Sequence, residues 1–143
     1  MTKSKGRVQQ RERGLPDKTI ASPEPKRWHL PEASPDLQYK INIPMADLGR
    51  IIGQTQFDES DRMTRFCLTA QVLHDSAWWD VVRVDTCHDE VHAHYMYRTR
   101  NYEEIEVINP IYCQNDVDGG YQLAEALLIA KWSDNVARWH GER

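Results

Sequence analysis

Between Arg83 and His94 the chain reads Arg-Val-Asp-Thr-Cys-His-Asp-Glu-Val-His-Ala-His, which places three of its six histidines beside an arginine and three carboxylates. Imidazole gives and takes protons near neutral pH and is a common metal ligand. A guanidinium adds a fixed positive charge with a planar, two-pronged donor edge for anions. Three kinds of chemistry fit this set. In a metal-free acid–base site, His92 or His94 abstracts a proton, the other histidine or His88 donates one, and Arg83 stabilises charge on a phosphate. Asp85 then orients an imidazole or Arg83. Such a set needs no cofactor and suits cleavage of RNA, whose own 2′-hydroxyl is the nucleophile. In a metal site, His92 and His94, joined by Asp85 or His88, hold a divalent ion such as zinc or manganese and leave positions open. The third reading is a solvated hairpin face joined by ordinary salt bridges.

These side chains need strands to bring them together. With Thr86 to Asp89 as the loop, Asp85 pairs with Glu90, Val84 with Val91, Arg83 with His92 and Val82 with Ala93. Alternate side chains on a strand point to opposite faces. Val82, Val84, Val91, Ala93 and Tyr95 therefore share one face, and Arg83, Asp85, His92 and His94 the other. Directly opposed residues have Cβ atoms ~5 Å apart, so Arg83 and His92 would reach one small group. The pairing is conditional on loop length, since a one-residue slip inverts every face.

Around the hairpin, alternation of apolar and polar residues predicts further strands from Leu37 to Ile43, Thr64 to Leu73, Trp78 to Asp85, Glu90 to Arg98 and Tyr102 to Ile108. Pro44 and Pro110 act as stops. Met45 to Ile52 reads as a short helix broken at Gly53, Gln54 to Asp61 as a polar loop, and His74-Asp75-Ser76 as a turn. Tyr121, Ala124, Leu127, Leu128, Trp132, Val136 and Trp139 recur at helical spacing, with Asp118 as the cap and Gly119-Gly120 just ahead. The expected fold is α+β: an antiparallel sheet of about five strands with a C-terminal helix packed on one face. Of the pair Trp78-Trp79, one ring must point away from the core. Trp79 is the candidate to stack on a base beside Arg83, the alternative being that helix and tail cover both rings.

Residues 1–36 differ in kind from residues 37–143, which are expected to form a single domain. The first segment holds five of the seven prolines and eight Lys/Arg against five Asp/Glu, whereas the remainder carries ten against seventeen. A basic, proline-rich stretch without apolar periodicity is expected to be a disordered arm. It offers a contact for nucleic acid or a protein partner, with Lys26-Arg27-Trp28-His29 as a basic-aromatic island. The acidic remainder argues against broad nonspecific nucleic-acid binding.

The three cysteines, Cys67, Cys87 and Cys113, are widely spaced, so neither a disulfide framework nor a zinc ribbon is indicated. The longest apolar run, Ala126 to Ala130, is too short to span a bilayer, and the N-terminus has no apolar stretch of the signal-peptide kind. A cytoplasmic protein with no membrane partner is the expectation. No phosphate-binding glycine loop and no nucleophile elbow appear.

The series Arg83-x-Asp85-x-x-His88, followed by His92-x-His94 after the Trp-rich strand, resembles the hairpin of the TumE family of small prokaryotic toxin–antitoxin proteins. That likeness spans about twenty residues. Val84 stands where the family has an aromatic, and the second histidine pair follows sooner. What the resemblance implies is a toxin-like protein that cleaves RNA, with Arg83, Asp85, His88, His92 and His94 at its site. The contrasting class is a noncatalytic binding or assembly protein, antitoxin-like or structural.

Overall fold

The computed structural model describes residues 38–87 and 89–141. The arm and His88 therefore lie outside the described residues. Six strands follow one another: β1 (Gln38–Met45), β2 (Gly49–Phe57), β3 (Met63–His74), β4 (Ala77–Cys87), β5 (Glu90–Tyr97) and β6 (Arg100–Pro110). They form one antiparallel sheet in sequence order. Two helices follow among the described residues, α1 (Gln114–Ala130) and α2 (Trp132–His140). The architecture is α+β, with six strands rather than about five and two helices rather than one.

The additional strand is β2, which takes up the second half of the expected helix at Met45–Ile52 and the first half of the expected loop after it. Asp47 and Leu48 both take left-handed backbone conformations and reverse the chain, so Met45 pairs with Gly49 and Ile43 with Ile51. Ile51 is fully buried. A β-branched residue gains more by packing on a pleated surface than on a short helix. Gly53 is not a breaker but a close approach: a Cβ there would meet the Cys67 carbonyl oxygen at 2.4 Å and Leu68 Cδ2 at 2.6 Å. The polar loop shrinks to the residues after Phe57, where Asp58 accepts hydrogen bonds from Ser60 N and Arg62 N. Those bonds, led by the Arg62 amide, hold the Asp58 carboxyl below its usual range. Pro44 does not end β1 but sits within it, as an edge strand permits because the missing N–H can face away from the ladder.

One face of the sheet carries the helices. Leu68, Ala70, Val72, Val82, Val84, Val91 and Ala93 from the sheet meet Val117, Ala124, Leu128, Trp132 and Trp139 from the helices in one core. Helix α1 begins four residues before the expected Asp118, at a cap formed by Cys113, and Asp116 accepts from Tyr112 N and Cys113 N. Gly119 and Gly120 consequently fall inside the helix. At Gly120 a Cβ would stand 2.7 Å from Val91 Cγ2, so glycine lets helix and sheet approach closely. The single expected helix divides at Lys131, whose ψ of 14° departs from helical geometry. That break lets Trp132 donate to the Ala46 carbonyl at 3.0 Å and lie over Gly49.

Candidate functional site

The β4–β5 hairpin is tighter than expected. Cys87 pairs with Glu90, so two residues and not four separate the strands, and the pairing moves by two positions. Arg83 faces His94 rather than His92, and Asp85 faces His92. A shift of two preserves every face. Arg83, Asp85, His92 and His94 thus stand together on the open face, away from the helices.

On that face the six strands align in two cross-strand rows. One runs Lys40, Gln54, Cys67, Asp85, His92, Val107, and the next Asn42, Ile52, Thr69, Arg83, His94, Ile105. The chemistry sits in the β4–β6 half. His94 Nδ1 lies 2.6 Å from Glu103 Oε1, and its Nε2 lies 3.3 Å from Asp85 Oδ1. Both ring nitrogens thus face carboxylate oxygens. Arg83 Nε donates to Asp85 Oδ2 at 3.1 Å, and its Nη2 reaches Glu103 Oε1 at 3.5 Å. His92 Nε2 is 3.2 Å from Glu90 Oε1, whereas its Nδ1 is closed to solvent and has no hydrogen-bond partner among the described residues. The two imidazole centroids are 6.2 Å apart. Their side chains are only 13% and 12% exposed, although neither α1 nor α2 covers this face.

Glu103 also belongs to the cluster, although it lies outside the histidine hairpin, on β6. It reaches His94 because bulges at Val91/His92 and near Tyr95/Tyr97 reset the β5–β6 register. No local pattern announces a bulge; the only available signal was the alternation of Glu103 with Ile105 and Val107. Those two apolar residues share the open face and are 59% and 51% exposed. Glu104 and Glu106 point to the helix side, where they accept hydrogen bonds from Tyr97 and Tyr95. Burial, with the Glu106 bond second, pushes the Tyr95 phenol up to about 12.

Trp79 does not join Arg83. A bulge beside Val81 changes the parity of β4, pairing Asp80 with Gln71 and Trp79 with the core residue Val72. Trp79 is therefore on the helix-bearing face, 5.8 Å from Trp139, and donates to the His74 carbonyl. Trp78 takes the open face, beneath the Arg50 guanidinium at 3.9 Å. Among the described residues, no group of three or more His, Cys, Asp or Glu side chains is placed to hold a metal ion, and His88, the other third ligand considered, lies outside them.

Two hollows adjoin the cluster. A small one of about 200 Å³ is bordered by Gln54, Arg65, Cys67, Asp85 and Thr86. A larger one of about 490 Å³ lies over β1–β3 and is bordered by Lys40, Asn42, Ile52, Gln54, Cys67 and Thr69. Burial, reinforced by Asp85, raises the Cys67 thiol above its usual range, so it is held protonated.

Fold and site together define a small α+β domain: a six-stranded meander backed by a helix pair, with a histidine–arginine–carboxylate cluster on its open face. The chain belongs to the family described as a domain of unknown function (DUF7718), whose profile matches residues 36–143. No curated protein and no solved structure matches it. Among the described residues, no helix is long and apolar enough to cross a membrane.

Proposed function

We propose that the open-face cluster is a metal-independent acid–base centre that cleaves single-stranded RNA, in a protein that acts as a small toxin. The observation that carries this reading is the unequal treatment of two neighbouring imidazoles. His92 is oriented through Nε2 by Glu90 and keeps Nδ1 unengaged, whereas His94 has both nitrogens against carboxylates. An imidazole with a spare nitrogen suits a base, and one seated between two carboxylates suits the paired acid. In this scheme His92 takes the proton of the 2′-hydroxyl as its oxygen bonds to phosphorus. His94 gives a proton to the departing 5′-oxygen, leaving a 2′,3′-cyclic phosphate and a 5′-hydroxyl. Arg83 exchanges its carboxylate bonds for the phosphate oxygens and neutralises the charge that develops. Because Nδ1 of His92 is enclosed, substrate has to displace a neighbouring side chain to reach it.

The test is cleavage of single-stranded RNA in the presence of EDTA. Activity should persist and follow a bell-shaped pH profile, since one imidazole must be neutral while the other is protonated. His92→Ala and His94→Ala should each slow cleavage about 10²–10⁴-fold, and Arg83→Lys should also be damaging. Loss in EDTA with recovery on adding zinc or manganese would instead favour a metal-dependent reaction.

A second reading, a noncatalytic binding or assembly protein, is favoured by a different observation. Arg83 and both histidines already have ionic partners within the protein, and Ile105 and Val107 lie exposed beside them on an edge strand. A long edge strand with exposed apolar side chains is a template for another chain. Absence of cleavage, with loss of partner binding in Ile105→Lys/Val107→Lys, would select this reading.

A further inference from the structure

We infer that the β1–β3 half of the open face is a nucleobase subsite, formed by Asn42, Gln54 and Thr69 around the larger hollow. This rests on the RNA reading of the same face and extends it from the histidine cluster to the adjoining strands β1–β3. The two hollows share Gln54 and Cys67 along their borders, and the smaller one ends at Asp85. They therefore make one path across the sheet from Lys40 to the catalytic cluster.

The chemistry along that path is mixed rather than charged. Asn42 and Gln54 are exposed, and neither amide has a hydrogen-bond partner among the described residues. Each amide offers both a donor and an acceptor, the combination that base edges present. Thr69 adds a hydroxyl beneath them, and Ile52, between Asn42 and Thr69 in the row, supplies an apolar surface for a ring. Lys40 lies on the edge strand, at the outer end of the path, where a phosphate would sit. The volume of about 490 Å³ falls in the range of small-ligand pockets.

Register fixes the spacing. Gln54 is two strands from Asp85 and three from His92. At about 4.8 Å per strand, that is roughly 10–14 Å. A base held at β2 thus stands near, but not at, the bond that the imidazoles would cut. Single-stranded RNA is commonly recognised in this way, through unstacked bases that turn their edges to side chains.

The experiment is titration of the full chain with adenosine and cytidine monophosphates, and with inorganic phosphate, followed by calorimetry and by amide NMR. At least one nucleotide should bind about tenfold or more tightly than phosphate, with shifts at Asn42, Gln54 and Thr69. Asn42→Ala/Gln54→Ala should lose about tenfold in nucleotide affinity with an unchanged melting temperature. The His92→Ala/His94→Ala variant should keep that affinity. Nucleotide binding without any RNA cleavage would retain the subsite and remove the catalytic reading. Equal affinity for nucleotide and phosphate would overturn the subsite, as would shifts confined to Arg83 and its neighbours. RNA cleavage indifferent to Asn42→Ala/Gln54→Ala would also overturn it.

Discussion

The two faces of one sheet are built from alternating residues of the same strands, yet they follow different rules. On the helix-bearing face, side chains meet other apolar side chains, and shape decides what fits. Trp132 covers Gly49, and Gly120 makes room for Val91. On the open face, half-buried charged groups meet one another: Arg83, Asp85, His94 and Glu103 form one linked set of ion pairs. Packing is intolerant of volume change, whereas ion pairs at partly exposed sites contribute little net stability. The first face should therefore govern whether the protein folds, and the second what it does.

The contrast can be broken most directly at Trp132. Trp132→Ala should destabilise by about 3–5 kcal/mol, the usual cost of emptying an aromatic site, and denaturant unfolding would measure it. An unchanged midpoint would mean that α2 contributes little to the core. Gly49→Ala should follow, at roughly 1–3 kcal/mol, because a Cβ there would lie 1.9 Å from the Trp132 ring. Combined with Trp132→Ala, the glycine substitution should cost less than it does alone, since its obstacle is gone. Strict additivity would show that the two positions do not meet.

The open face should respond weakly by the same measure. His94→Gln should change stability by less than about 1 kcal/mol, the scale of partly exposed ion pairs. A loss comparable to that at Trp132 would erase the distinction between the faces. The smallest effect belongs to the rim of the helix-bearing face, at Tyr95. Its phenol is pushed up to about 12 in the folded protein, above the usual value of a free tyrosine. The folded state holds that proton more tightly than the unfolded chain does. Any stabilisation from this shift is complete below about pH 10 and is lost as pH rises towards 12. Tyr95→Phe should flatten this alkaline decline, and tyrosinate absorbance during titration would check it.

Much of the sheet was legible in the sequence because a half-buried strand writes its period into the chain. The faces of β4 and β5 around the hairpin were deduced correctly even though the partners were not. A register error of two leaves parity intact, so Arg83 found His94 in place of His92 without leaving the open face. Trp79 shows the opposite case. One extra residue at Val81 inverted its side and removed it from the candidate site. Strand β2 was missed because Gly53 and the polar Gln54-Thr55-Gln56 run look like breakers locally, and only contact with β3 explains them.

The sequence by itself determined the class of the fold, the existence of the histidine hairpin and the side on which its polar residues stand, because those follow from local periodicity. Tertiary structure alone decided the membership of the cluster. Glu103 reaches His94 through bulged pairing with β6, and the hollow over β1–β3 exists only once Asn42, Gln54 and Thr69 are aligned across three strands. Periodicity is a property of neighbours along the chain, whereas register is set by how distant segments pack, and a single inserted residue is enough to change it.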